Sequence, residues 1–465
     1  MHGLAELSKK HIHLIGIGGA GLSAIARVLL EQGAEVSGSD LVMSSVAEAL
    51  ASDGAVVCEG HDAAHVDGAD VVVVSSAVPD DNVEIRAARE AGIPVMRRPA
   101  FLGRLMEGKQ GVAVAGTHGK TTTTAMIATI LLRAERDPTF IVGGVLADLK
   151  TNARAGEGSL FVIEADEYDQ TFLSLRPDVA VITNVEHDHP DCYPTFEAFR
   201  SAFETFAALV SEDGVLVICG DDPVARAIGL NQPDGKAVRF FGLGPESSWR
   251  AEEVRPNFAG GVDFLAVNGD ETLGLVRLRV PGAHNASNAT AALAVTDSLG
   301  VPFKVAREAL TSFRGVARRF EVKGEAGGVV VVDDYAHHPT EIRATLRAAR
   351  ERFPDRRIWA VWQPHTYSRT KQLLEEFAAC FDDADRVIVL PIYPARESDA
   401  LGISAVDVAE GMDYVETYVA GSMIEAVERL VSEVRAKDVV LTLGAGDGDR
   451  VGERLLDALE GQDAD

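Results

Sequence analysis

Short apolar runs recur along this chain, and stretches of helical periodicity lie between them. That alternation admits few architectures. A run too short for a helix and apolar on both faces reads as a strand of a covered parallel sheet, and the helical stretch after it reads as the crossover. In the first third, strands are predicted at 11–15, 35–38, 71–75 and 94–96, and helices at 21–32, 46–52 and 82–91. The middle repeats the theme with strands at 112–115, 160–163, 179–183, 215–219 and 237–240 and a helix at 195–209. Alternating patterns at 262–267 and 273–280 then predict antiparallel strands within 249–280, followed by an alanine-rich helix at 285–300. The last third returns to strands at 329–332, 358–361, 386–390 and 439–442, with helices at 339–351, 370–381, 422–435 and 450–459. With 465 residues the chain is too long for one ordinary core. A polar break at 106–110 and an Arg/Gly stretch at 314–319 divide it into 1–108, 109–315 and 316–465.

Two glycine loops follow predicted strands. Gly116-Thr117-His118-Gly119-Lys120-Thr121 lies between the strand ending at Ala115 and a helix rich in threonine. Such a turn aims backbone N–H groups and a helix N-terminus at one spot, which suits a polyphosphate. Lys120 would reach the β/γ-phosphates and the Thr121 hydroxyl would ligate Mg²⁺. The common pattern G-x-x-x-x-G-K-[ST] puts its first glycine at 114, which here is Val114, so this loop is two residues short. The other loop, Gly16-Ile17-Gly18-Gly19-Ala20-Gly21, follows the first strand and opens a helix, and Asp40 lies about 20 residues on, as a ribose-binding acid would. Alone it suggests a dinucleotide site. Its physics says only that a diphosphate can approach the backbone, and NAD, FAD and a nucleotide sugar all carry one. The alternation gives three α/β domains in series, and the fold class is read as Rossmann-like, P-loop ATPase, Rossmann-like.

Acids and histidines gather where later strands end. Glu164-Ala165-Asp166-Glu167 closes one strand, and Glu164 is the first choice for Mg²⁺. Asn184-Val185-Glu186-His187-Asp188-His189-Pro190-Asp191 closes the next, with a histidine placed as metal ligand or base. Asp333-Asp334-Tyr335-Ala336-His337-His338-Pro339 and Gln363-Pro364-His365-Thr366-Tyr367-Ser368-Arg369 repeat the arrangement in the third unit. Asn285 has two readings, helix N-cap or base contact. Arg318 and Arg319 bring fixed positive charge to a chain of net charge −27.

That acidity argues against nucleic acid as partner. Cys58, Cys192, Cys219 and Cys380 form no C-x-x-C pair, so neither a zinc site nor a disulfide framework is indicated, and a reducing cytoplasm fits. The first ten residues do not read as a signal peptide, and no uncharged apolar stretch of about 20 residues predicts a membrane helix. The acidic tail at 460–465 is expected to fray.

Together these motifs resemble the Mur ligase family, which adds amino acids to UDP-muramic acid in peptidoglycan synthesis. The resemblance runs through Gly116–Thr124, the Glu164 run, 184–191, His284 to Asn288, Arg318-Arg319-Phe320, 333–339 and 365–369, so it spans the chain. His118 inside the loop, the Gly16–Gly21 loop, Asp333–Pro339 and Leu443-Gly444-Ala445-Gly446-Asp447 resemble the L-alanine-adding branch. The resemblance implies an ATP-dependent ligase that activates the carboxylate of UDP-N-acetylmuramate as an acyl phosphate and joins it to L-alanine, with ATP and Mg²⁺. It implies ATP contacts from Gly116, Thr117, His118, Gly119, Lys120, Thr121, Thr122, Asn285, Asn288, Arg319 and Asp334. It implies Mg²⁺ on Thr121 and Glu164, with a second ion on His189. Gly16, Gly18, Gly19, Ala20, Gly21, Ser39 and Asp40 would hold the UDP-sugar rather than NAD, and His337, His365 and Arg369 would face the amino acid. Lys120, Glu164, His189, His337 and Arg369 would carry catalysis in a monomer or homodimer.

Several relatives in the family carry a carbamylated lysine after the Asp-His-x-Asp turn. Residues 196–206 contain no lysine, which fits the alanine-adding branch. The run Glu-Ala-Asp-Glu-Tyr-Asp at 164–169 is shared with the branch that recycles murein peptides, which keeps that ligase as the nearest competitor. An NAD-dependent oxidoreductase leaves the second glycine loop idle, and a nucleotide switch leaves the third unit's strand ends unexplained.

Overall fold

The computed structural model describes residues 3–463. Its first sheet contains β1 (His11–Ile15), β2 (Glu35–Asp40), β3 (Val56–Glu59), β4 (Val71–Val74) and β5 (Val95–Arg97). All pair in parallel, in the order β3-β2-β1-β4-β5. The order reverses between β1 and β4, and a crevice outside the strand ends forms at such a switch point. The Gly16–Gly21 loop leaves β1 there and enters the helix Ala20–Glu31.

The second sheet has ten strands: β6 (Gln110–Ala115), β7 (Thr139–Leu146), β8 (Thr151–Arg154), β9 (Leu160–Glu164), β10 (Val179–Ile182), β11 (Val215–Cys219), β12 (Ala237–Gly242), β13 (Trp249–Pro256), β14 (Val262–Asn268) and β15 (Glu271–Arg277). Their order is β15-β14-β13-β12-β11-β10-β6-β9-β7-β8. β6, β9 and β10 lie at its centre with both faces covered, so their residues are apolar without alternation. Helices Lys120–Arg133, Ala283–Ser298 and Phe303–Ser312 pack on one another. Ala283–Ser298 is buried almost all round, which its alanine content permits.

The third sheet runs β16-β17-β21-β18-β19-β20, from β16 (Glu321–Ala326), β17 (Val329–Asp334), β18 (Ile358–Trp362), β19 (Arg386–Val389), β20 (Glu416–Val419) and β21 (Val439–Leu443). Only β16 is antiparallel to its neighbour. The segment joining it to the second sheet is pinned to β7, since Ala147 N–H donates to Gly315 O and Ala317 N–H to Val145 O.

The differences from the sequence reading have physical causes. β8, β16 and β20 give no continuous apolar run because each is an edge strand carrying polar residues, and β3, also an edge, offers only the short run Val56-Val57-Cys58 before Glu59. The helix expected at 370–381 is two short helices, Tyr367–Gln372 and Leu374–Ala378, broken at Leu373. The strand expected to reach 280 ends at Arg277. The acidic tail does not fray at 460, because the last helix runs Asp449–Asp463. Ala464, Asp465, Met1 and His2 lie outside the described residues.

Candidate active site

The second glycine loop owes its shape to close packing. A Cβ on Gly116 would lie 1.9 Å from Thr183 Oγ1, and one on Gly119 would lie 2.6 Å from Asn288 Oδ1. Both glycines also hold positive φ, at 132° and 81°. The loop is stitched to the end of β10: His118 N–H donates to Asn184 Oδ1 at 2.8 Å, and Thr183 Oγ1 donates to His118 O at 2.5 Å. No side chain caps the helix that starts at Lys120, so its first-turn N–H groups are available to an anion.

Lys120 Nζ donates to Glu167 Oε1 at 2.9 Å and to the loop carbonyls of Gly116 and Thr117. Burial opposes its charge, but Glu167, Glu164 and Asp166 outweigh burial and hold the ammonium above its ordinary value. Glu164, at the end of β9, accepts from Thr121 Oγ1 at 3.0 Å and from Gly143 N–H at 2.6 Å. Burial pushes its pKa up. His189 Nε2 lies 3.5 Å from Glu167 Oε1, and the residue adopts φ 55°, a left-handed conformation that costs a non-glycine residue energy. Glu167 Oε2 is buried with no partner. Hydroxyl and carboxylate donors around an orphaned buried carboxylate oxygen fit Mg²⁺, a hard cation.

The third sheet brings its residues to the same place. Arg369 pairs with Asp188 through two nitrogens, each 2.9 Å from Oδ1, with both side chains buried. Arg369 Nη1 also lies 3.3 Å from His365 Nδ1. His337 Nδ1 is 3.0 Å from Tyr335 O, and its ring is 6.0 Å from that of His365. Burial depresses both imidazoles, to about 3 for His337 and about 4 for His365, so both are neutral near pH 7. Arg319 Nη2 reaches Thr121 Oγ1 at 3.5 Å and lies over the Tyr335 ring. Asp334 accepts from the N–H groups of Phe320 and Ala336, and burial raises it to about 6.

Two spaces open here. A cleft of about 500 Å³ is lined from all three units, among them by Gly21, Lys120, Glu164, His189, Arg319 and His337. A second cavity, of about 180 Å³, is lined by His118, Thr122, Asn285, Asn288, Arg319 and Asp334 among others. Asn285 is not the helix N-cap; Gly282 is, and Asn285 Nδ2 donates back to Pro281 O at 2.7 Å.

The first glycine loop contributes less directly. Ala20 and Gly21 line the large cleft, whereas Gly16, Gly18, Gly19 and Asp40 do not. Asp40 accepts from Gly18 N–H at 2.9 Å and so fixes the turn. Ser39 is sealed from solvent and donates to Glu84 at 2.6 Å, away from the cleft. His365 and Arg369 stand behind the cleft, linked to it through Asp188.

Sequence reasoning missed Glu341. Its carboxylate lies 3.2 Å from His118 Nδ1, 3.3 Å from His337 Nδ1 and 3.8 Å from Arg319, and these cations and dipoles hold it well below the carboxylate range despite burial. The signal was its place three residues after the N-cap His338, the capping-box position. Arg98, which donates to Thr171 Oγ1 and reaches Asp166, carried no local signal.

Comparison with known proteins gives consistent matches. The Mur ligase family catalytic domain matches residues 11–110, the Mur ligase middle domain 114–296, and the Mur ligase glutamate ligase domain 318–446. The chain is 46% identical to the UDP-N-acetylmuramate–L-alanine ligase of Roseiflexus sp. (strain RS-1) over 467 residues, covering 97% of this chain and 100% of the relative. It is 46% identical to the enzyme of the same name from Salinibacter ruber over 455 residues, covering 97% and 95%. Among solved structures, UDP-N-acetylmuramate–alanine ligase from Thermotoga maritima is similar with a TM-score of 0.82 and 29% identity, covering 98% of this chain and 100% of that one. A murein peptide ligase from Psychrobacter arcticus has a TM-score of 0.71 and 27% identity, covering 97% and 99%.

Proposed function

The chain belongs to the Mur ligase family, and from that premise we propose that it joins L-alanine to UDP-N-acetylmuramate in an ATP-driven amide synthesis. The observation that carries this reading is the cleft where Lys120, Glu164, Arg319 and His337 converge from separate segments. We assign the UDP-sugar to residues 1–108, ATP to 109–315, and the amino acid with part of the nucleotide to 316–465.

The muramoyl carboxylate attacks the γ-phosphorus, the bond to the bridging oxygen breaks, and ADP leaves with the electron pair. The uncharged amine of alanine then attacks the acyl carbon. The C–O bond to phosphate breaks, inorganic phosphate leaves, and the amine loses its proton. Both anions must meet in a site of a strongly acidic protein, so Lys120, Arg319 and the uncapped helix N-terminus supply the local positive field. Thr121 and Glu164 would hold one Mg²⁺ and His189 a second, and ions bound there would neutralise phosphate oxygens. The neutral ring of His337, which lines the cleft, offers an acceptor to the incoming amine without adding charge that would keep the amine protonated, and the neutral His365 behind it adds no charge either. Arg369, behind the cleft, would act on the amino-acid side through Asp188, whose carboxylate it holds.

Among the described residues no helix is long and apolar enough to cross a membrane, and all four cysteines are free, which supports a cytoplasmic setting. The working oligomeric state is a monomer or homodimer, which sedimentation decides. The deciding assay is ADP release. It should require both UDP-N-acetylmuramate and L-alanine. Release with the tripeptide L-Ala-γ-D-Glu-meso-diaminopimelate in place of alanine would favour the recycling ligase. A change in NADH absorbance would favour the oxidoreductase.

A further inference from the structure

One group of donors beside the nucleotide cavity differs in kind from the Mg²⁺ set. His118 Nε2 lies 2.9 Å from Glu186 Oε2, and His338 Nδ1 lies 3.8 Å from the same oxygen. One ligand atom from each of His118, Glu186 and His338 lies within 4.8 Å of the others. Metal–ligand bonds of about 2.0–2.1 Å in a tetrahedron put donors about 3.3 Å apart, so small side-chain shifts would close this set on an ion. Outer partners are already present. Glu341 Oε1 lies 3.2 Å from His118 Nδ1, and Thr340 Oγ1 donates to Glu186 Oε1 at 2.8 Å. A carboxylate behind a ligating imidazole and a hydrogen bond to a ligating carboxylate are what orient metal ligands. His338 Nδ1 now caps its helix with one long bond, accepting from Thr340 N–H at 3.4 Å, which an ion would displace, and its Nε2 is buried with no hydrogen-bond partner.

We propose that His118, Glu186 and His338 form a transition-metal site, fit for Zn²⁺ or Co²⁺, that clips the phosphate loop to the third unit. Two imidazoles and one carboxylate suit these ions and not Mg²⁺, which favours oxygen. Binding places the ion where the proton shared by His118 and Glu186 now sits, so one proton is released per ion. Because His118 also lines the nucleotide cavity, a bound ion holds the loop in one position and slows turnover. Metal binding here does not depend on the ligase reading; the inhibition does.

The test uses the full chain in excess Mg²⁺, which fills the oxygen sites. Co²⁺ is titrated while its visible d–d absorption is followed, and Zn²⁺ retained after gel filtration is counted by atomic emission. The expected result is one ion per chain, with the band intensity of a four-coordinate site. Glu186→Gln and His338→Gln, each verified as folded by circular dichroism, should each weaken binding by at least about tenfold. Glu164→Gln should keep the band. Unchanged affinity in both folded variants, a band lost only in Glu164→Gln, or no ion retained by the wild type would each overturn the site. Zn²⁺ inhibition that is relieved in His338→Gln would support the clip, and inhibition equal in both proteins would refute it.

Discussion

In the proposed function Lys120 stands between two partners: the Glu167 carboxylate, which it holds at 2.9 Å, and the phosphate assigned to its loop. Lys120→Ala should therefore lower kcat/KM by at least about a thousandfold, a loss of about 4 kcal/mol of transition-state stabilisation. Calorimetric binding of UDP-N-acetylmuramate should stay nearly unchanged; a variant with normal ATP-dependent turnover would remove Lys120 from the site. A different side chain tests stability. Glu84 is sealed from solvent and gathers Ser39, His13 and His65. Burial opposes its ionisation, yet those hydrogen bonds bring the carboxyl from 4.5 down to about 2. A depressed folded value stabilises the protein above 4.5, and the contribution disappears as pH falls toward about 2. The size of the shift corresponds to about 3 kcal/mol. Glu84→Gln should lower Tm at pH 7, and its gap to the wild type in denaturant melts should narrow between pH 4.5 and 2. A gap that is constant over that window would show that charge is not the cause. Lys120 and Glu164 were singled out because a glycine loop names the one and a strand end places the other. Glu341 and Glu84 were not, because their importance comes from what other segments bring to them.

At the scale of elements, the apolar runs announced the strands at the sheet centres and the edge strands β5 and β15, while the edges β3, β8, β16 and β20 escaped notice. β7 escaped for a different reason: Gly143 and Gly144 interrupt its pattern. The interruption has a cause in the site. A Cβ on Gly143 would lie 2.6 Å from both Glu164 oxygens, and its N–H donates to one of them. The strand gives up sequence regularity so that its backbone can approach a carboxylate. The loop after β6 follows the same rule. Gly116→Ala must displace Thr183 while holding φ 132°, whereas Gly92, at φ 73°, has nothing within 4 Å of an added Cβ. Gly92→Ala should cost about 1 kcal/mol, the left-handed penalty alone. Gly116→Ala should cost at least about 3 kcal/mol, because overpacking adds to strain. Urea melts of the two variants compare them directly, and equal losses would mean that the loop relaxes freely.

At the scale of the molecule, an α/β fold in three domains was legible from composition and periodicity, but not the contacts that hold them together. Those contacts depend on side chains far apart in sequence, which no local pattern reports. Arg27 bonds Asn152 between the first and second units, and Thr340 bonds Glu186 between the second and third. The buried pair of Asp188 and Arg369 is the strongest candidate for a structural tie, since a charge left alone there has no solvent to turn to. Removing one partner should cost about 3–5 kcal/mol for that reason, whereas removing both leaves no orphan. The prediction is thus a coupling. Asp188→Asn and Arg369→Gln should each destabilise the chain and reduce kcat/KM for L-alanine. The double variant should be more stable than the sum of the single losses by at least about 1.5 kcal/mol. The single variants should also enlarge the radius of gyration in small-angle scattering, because the third unit loses its tie to the second. If the two losses simply add and the radius does not change, the pair positions the amino-acid site without holding the units together, and closure depends on the His118–Glu341 and Thr340–Glu186 contacts instead.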